Sequence, residues 1–197
     1  MSTPTILFVN LRRAPHEGRA AFLAARRLGY QVVLLADKVP DYAATFATDI
    51  EVVDTYNLPQ ALAGVRSLAG RYQIQGVVTW SDRDVELVAQ IGQMLSLPAP
   101  SPIAARRARN KFEMKQVLAA VPGLVPRHAL VRTWDELQQA ADEVGLPAVL
   151  KPTGASGSKG IFELRAPDDL QVAFTQLQQI ARPDADPIFR LYGAEFI

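Results

Sequence analysis

Short apolar runs alternate with longer amphipathic stretches through the first half of the chain. TILFV at 5–9, ending before Asn10, reads as a buried strand, and QVVLLA at 31–36, ending before Asp37, as a second. A weaker third lies at 51–53 and a fourth, GVVTW, at 76–80. Helices are expected between them. At 16–28 the apolar positions Ala20, Leu23, Ala24 and Leu28 recur at helical spacing, and Gly29 closes the run. Further helices are expected at 58–68 and from about Asp82 to position 95. This alternation predicts βαβ units: an α/β domain with a parallel sheet, Rossmann-like in layout, and helices on both faces.

The pattern changes at LPAPSP, 97–102, a proline-rich bend that predicts a domain boundary and divides the chain into 1–100 and 101–197. Helical composition follows at 103–109 and 110–120. HALV at 128–131 reads as a strand. Thr133, Trp134, Asp135 and Glu136 form a capping box, and the helix they open is expected to end near Gly145. Apolar runs at 148–150 and 161–164 flank a glycine-rich stretch, and Asp168 or Asp169 opens a helix over 170–180. The final run, 187–197, holds IFRLY and AEFI and reads as a strand.

Composition narrows the function classes. The chain has 197 residues and 49% hydrophobic content, enough for a sizeable core in one or two domains. Lys and Arg number 21 against 20 Asp and Glu, so the net charge of +1 gives no support for a nucleic-acid partner. Cysteine is absent, which excludes disulfides and thiolate chemistry. The start, MSTPTILFVNLRR, lacks the form of a signal peptide, and no apolar stretch approaches a membrane span. The expectation is a cytoplasmic protein with no membrane partner. Its oligomeric state is open, a homodimer included.

The chemistry concentrates in KPTGASGSKG, 151–160. Three glycines and two serines in the seven positions 154–160 leave the backbone free to bend, so that its N–H groups converge on an anion. Lys151 ends the incoming strand, where its charge reaches a phosphate under the loop. The spacing is neither a P-loop nor a dinucleotide fingerprint. The competing reading is a flexible hairpin connection that binds nothing. In a parallel sheet, ligands gather at the carboxyl ends of the strands. That places Asn10, Arg12, Arg13 and His16 at one lip, Asp37 and Lys38 at another, and Ser81 and Asp82 at a third. Ser81 or Asp82 as a helix cap, and His16 as a solvated residue, are the preferred readings of those three. Arg106, Arg107, Arg109, Lys111 and Lys115 form a basic cluster whose usual meaning is a solvated helix face.

Four stretches, in order, resemble the ATP-grasp superfamily of carboxylate–amine and amino-acid ligases. GVVTWSDRDVELVAQIGQMLSLPAPSPIAARRARNKFEMKQVL resembles its strand, acidic turn, helix, proline bend and lysine-opened helix. VPGLVPRHALV resembles its Gly–aliphatic–Pro strand, GLPAVLKPTGASGSKGIFELR its small-lobe hairpin, and AEFI its interdomain hinge. The resemblance implies a Rossmann-like pre-ATP-grasp domain followed by linker helices and the α+β small ATP-binding lobe. It implies that Lys111 and Lys151 contact ATP phosphates, with Ser156, Gly157 and Ser158 in a loop folding over them. Main-chain groups of the hinge, the Glu195 carbonyl and the Ile197 N–H, would read the adenine edge. Ala194 stands where the family often has Glu or Gln, so one side-chain contact is missing.

The activity implied is ATP-dependent ligation through an acyl phosphate, with ATP between the ATP-grasp lobes, magnesium on its phosphates, and a small-molecule carboxylate and amine as substrates. The sheet domain would supply one wall of the substrate site. The catalytic residues and the magnesium ligands are expected beyond Ile197, and the segment alone is expected to be inactive. Two alternatives stay open at this point: a nucleotide-binding or regulatory module without ligase chemistry, and an enzyme like carboxylases or carbamoyl-phosphate synthetases.

Overall fold

The computed structural model describes residues 3–11 and 14–197. Two compact units are present, Met1–Ala105 and Arg106–Ile197. The division expected at the proline bend falls a few residues later, inside a helix.

In the first unit the order is β1 (Thr5–Val9), α1 (Pro15–Arg27), β2 (Gln31–Ala36), α2 (Ala43–Phe46), β3 (Asp49–Val52), α3 (Leu58–Arg71), β4 (Ile74–Thr79), a 3-10 turn (Asp82–Asp84) and α4 (Val85–Leu95). The four strands form a parallel sheet in the order β3-β2-β1-β4. Strand side chains alternate between faces, and each face has its own core. Leu7, Val9, Val33 and Leu35 pack with α3 and α4 through Val65, Leu68 and Ile91. Phe8, Val32, Leu34 and Ala36 pack with α1 and α2 through Phe22, Ala25 and Ala43. The parallel sheet covered on both faces is as the sequence predicts.

The face of α1 is not. Ala20, Leu23, Ala24 and Leu28 are exposed, Leu28 by 74%, and the helix buries Gly18, Phe22 and Ala25 instead. These three stand at i, i+4 and i+7, which also defines one face. Phe22 decides between the two faces. It is fully buried against Phe8 and Phe46, and a buried ring of that size contributes on the order of 2–3 kcal/mol. Gly18 permits the approach, since a Cβ there would lie 2.0 Å from the Tyr42 hydroxyl.

At the carboxyl edge the strand order reverses between β1 and β4, and a buried polar network fills that crevice. Asn10, in the left-handed region at φ 52°, donates its Nδ2 to Asp84 Oδ2 (2.9 Å) and Thr55 Oγ1 (3.1 Å) and accepts the Asp37 N–H at Oδ1 (3.1 Å). Arg83 donates to Asp84, to both oxygens of Asp37 and to Thr55, and its guanidinium lies 4.1 Å from the Tyr56 ring centroid. Burial raises the Asp84 carboxyl above its ordinary pKa, against the opposing pull of Arg83, Asn10 and Ser81.

The second unit contains the second half of α5 (Pro102–Arg109), then α6 (Lys111–Leu118), α7 (Trp134–Val144), β5 (Ala148–Leu150), β6 (Phe162–Leu164), α8 (Pro167–Ile180) and α9 (Ile188–Tyr192). β5 and β6 pair antiparallel, with Leu150 opposite Phe162. They pack with Leu137, Phe174, Leu177 and Phe196 in one core. The Thr133 capping box is present, Gly145 caps the end of α7, and Asp169 accepts the N–H groups of Arg165 and Ala166 at the start of α8. Two expectations fail. IFRLY is the helix α9 rather than a strand, because Asp186 Oδ1 takes the Ile188 N–H at 3.0 Å and Pro187 fixes a helical start. HALV pairs only through Val131, which bridges Phe196.

Replacing Asp84, 2% exposed, with Ala should cost about 3 kcal/mol, since Arg83 and Asn10 would each lose a buried partner. Lys38→Ala, at an exposed position, should stay within about 0.5 kcal/mol. Urea unfolding followed by Trp80 fluorescence in a Trp134→Phe background measures both. A loss at Asp84 no larger than at Lys38 would show that the network adds nothing to stability.

Candidate functional site

Helix α6 begins where a side chain caps it. Asn110 Oδ1 accepts the N–H groups of Phe112 (2.9 Å) and Glu113 (3.1 Å), which sets Lys111 in the first turn. Lys111 and Lys115 are four residues apart and share one helix face. On the hairpin, Lys151 follows β5 directly, and its charge reaches both: it contributes to lowering the pKa of each. For Lys115 burial is the larger cause and Lys151 the second. Lys111 falls from 10.5 to about 8, through burial first, then Arg109, then Lys151. Three lysines and an arginine thus lie within electrostatic reach of one another.

The glycine loop divides into a buried root and an exposed tip. Pro152, Thr153, Gly154 and Ala155 are buried, whereas Ser156, Gly157, Ser158 and Lys159 are exposed. Arg109 Nη2 donates to the Gly154 carbonyl at 2.9 Å. Lys111 Nζ donates to the carbonyls of Thr153 (3.2 Å) and Ala155 (2.5 Å), and its backbone N–H also donates to Thr153. Gly154 lies against Tyr192, whose Cγ would meet an added Cβ at 2.2 Å. At the tip Gly157 and Ser158 have φ 70° and 59°, turning the backbone through the left-handed region. Lys159 pairs with Asp186.

Lys111, Lys151, Ser156, Gly157 and Ser158 all lie in the second unit. The hinge groups do not take the expected form. The Glu195 carbonyl accepts the Thr153 N–H at 2.9 Å, and the Ile197 N–H donates to the Lys151 carbonyl at 2.8 Å. Phe196 exchanges two further bonds with Val131. An N–H has one proton to give, so in this structure the Ile197 N–H is spent on Lys151, whereas the Glu195 carbonyl has a second lone pair and can accept a further bond. The Glu195 side chain accepts from Arg132 Nε at 2.9 Å.

A pocket of about 380 Å³ opens in the same unit, with Lys115 and Lys151 among its lining residues beside His128, Val131, Leu164 and Ile197. Lys115 and Arg109 were legible only as members of a basic run. The spacing of Lys111 to Lys115 was the available signal. In the first unit, Asn10 and Asp37 belong to the buried network, while His16, Lys38 and Asp82 are exposed. Ser81 makes no capping bond to the turn and instead bonds Asp84. Arg12 and Arg13 lie outside the described residues. Among the described residues no group of three or more His, Cys, Asp and Glu side chains is arranged to hold a metal. No described helix is long and apolar enough to cross a membrane.

Residues 22–99 match the family model of the ATP-grasp N-terminal domain. A protein of Sinorhizobium fredii, "Uncharacterized protein y4rH", is 36% identical over 163 residues, covering 82% of this chain and 34% of that protein. N5-carboxyaminoimidazole ribonucleotide synthase of Bacillus subtilis is 27% identical over 164 residues, 82% of this chain and 41% of the synthase. L-amino acid ligase from Bacillus licheniformis shares the fold, with a TM-score of 0.73 at 17% identity over 90% of this chain and 42% of the ligase. The chain thus spans well under half the length of the relatives it matches.

The depressed Lys111 ammonium should be visible directly. In Nζ-detected NMR one lysine should titrate at about 8, and Lys111→Arg should remove that signal. Its pKa is lower folded than unfolded, so between about pH 8 and 10.5 the unfolded chain binds more protons. Stability from this group therefore rises with pH across that window and is flat below it. A Lys111 signal titrating at the ordinary lysine value of 10.5 would contradict the burial.

Proposed function

We propose that the chain, whose residues 22–99 match the ATP-grasp N-terminal domain model, forms part of an ATP-dependent carboxylate–amine ligase and that its second unit grips the ATP phosphates. The observation that carries this reading is the group Lys111, Lys115, Lys151 and Arg109 beside a glycine loop. Gathering cations while desolvating two of them is unfavourable in the free protein, and a polyphosphate reverses the sign of that cost.

The reaction would proceed in two transfers. A carboxylate oxygen takes the γ-phosphoryl group, ADP leaves, and an acyl phosphate results. An amine nitrogen then forms the C–N bond at the acyl carbon, phosphate departs with the C–O bond electrons, and the amine releases a proton. Catalysis of this type is positioning and charge neutralisation. Lys151 meets the phosphates from the end of β5, and Lys115 adds a second charge from α6. The tip residues Ser156, Gly157 and Ser158 supply backbone donors and exclude water when the loop closes. Magnesium would neutralise the phosphates further, but the described residues do not group as its ligands. The carboxylate and the amine belong to chemistry outside these residues.

Lys151→Ala removes one charge-assisted contact from a half-buried strand end, worth about 1.5–3 kcal/mol, or roughly one to two powers of ten in ATP affinity. Calorimetry with MgATP and a thermal melt separate binding from folding. Weaker binding at an unchanged melting temperature is expected. Equal affinity would remove the phosphate role, and an unfolded variant would make the lysine structural.

A further inference from the structure

We propose that Arg109 is a positioning residue for the glycine loop: by holding the Gly154 carbonyl beside the two that Lys111 holds, it turns the backbone donors of the loop root away from the helices and toward the anion side. The inference rests on the phosphate reading above.

Three consecutive carbonyls, of Thr153, Gly154 and Ala155, are taken by cations from the α5–α6 junction: Lys111, Arg109 and Lys111 in turn. A trans peptide is planar, so the N–H of each following residue points opposite to the carbonyl before it. Fixing these three carbonyls therefore directs the N–H groups of Gly154, Ala155 and Ser156 to the other side of the chain. Successive N–H groups turned one way form a concavity suited to an anion. Without the clamp a glycine-rich segment samples many torsions, and its donors are not aligned.

The clamp has a rigid back. Pro152 and Thr153 are buried, and the Thr153 N–H is tied to the Glu195 carbonyl. Tyr192 closes against Gly154 so tightly that no Cβ fits there. Arg109 completes the arrangement from the only side Lys111 leaves incomplete, the middle carbonyl. Beyond the Ser156 N–H, the exposed tip, Gly157 to Lys159, takes no part in it. Arg109 itself is thus bound to protein backbone at Gly154 rather than committed to a ligand, and its effect on nucleotide passes through the loop.

Hydrogen exchange of the 197-residue chain, with and without MgATP, tests this with Arg109→Met, which keeps the aliphatic stem and removes the donors. MgATP should slow exchange of amides 154–156 in the parent by about tenfold, and in Arg109→Met that protection should be lost and ATP affinity should fall by a similar factor at an unchanged melting temperature. Arg109→Lys, which offers a donor without the planar fork, should restore part of both. Protection of these amides by MgATP in Arg109→Met equal to the parent's overturns the inference. Should that variant fail to fold, Arg109→Lys against the parent decides the same question: weaker protection at 154–156 supports the clamp, and identical protection overturns it. A parent chain that binds no ATP, yet whose 154–156 amide NMR shifts differ from those of the variant, would remove the nucleotide reading and leave the clamp standing.

Discussion

Burying a lysine costs free energy unless its charge is answered, and Lys111 is answered by backbone carbonyls. Two of them accept from its Nζ, which favours the ammonium, while burial, Arg109 and Lys151 favour the neutral amine. The balance lies at about 8, close enough to neutrality that a bound anion would decide it. Much of the second unit serves this one placement. Asn110 fixes where α6 starts, the bridge between Phe196 and Val131 ties the chain's last residues into the core, and Pro152 brings the loop root under the helix. Disturbing any of these would move the carbonyls, and with them the lysine.

The first unit handles charge in the opposite way. At the carboxyl edge of its sheet, where open α/β folds commonly seat a ligand, the crevice is occupied by Arg83 and its partners Asp37, Asp84 and Thr55. Each donor meets an acceptor within the protein, and Asn10 closes the set by bonding on three sides. A guanidinium already shared between two carboxylates offers little to an incoming anion, whereas cations answered only by neutral carbonyls keep their charge uncompensated. That contrast in charge compensation, rather than the count of basic residues, is what favours the second unit in the proposed phosphate reading.

What the sequence made legible follows the range of the interactions involved. Strands β1 and β2 are continuous apolar runs, and their positions required no tertiary knowledge. The buried face of α1 was misread because Leu23 and Leu28 score as apolar wherever they point, while the deciding contact of Phe22 with Phe8 comes from another element. IFRLY is short enough to suit either a strand or a helix, and the start signal at Asp186 and Pro187 settled it. Lys151 and Lys111 were legible through motif resemblance and the glycine loop. Arg83 was not, since its pairing with Asp37 spans 46 positions and leaves no local trace. Arg109 and Lys115 were obscured for another reason: a run of basic residues on a helix ordinarily means solvent, and only the carbonyls facing Arg109 show otherwise.

The expected and observed roles of the hinge meet in one further consequence. The Glu195 carbonyl accepts the Thr153 N–H and the Ile197 N–H donates to Lys151, so this segment bears directly on the foot of the loop. Thr153 is held at both of its backbone groups, its N–H by Glu195 and its carbonyl by Lys111. Strand end, hinge and helix start thus converge on a single buried residue, 0% exposed, at the foot of the loop. A loop anchored in this way at its root keeps its conformational freedom at the exposed glycine-bearing tip.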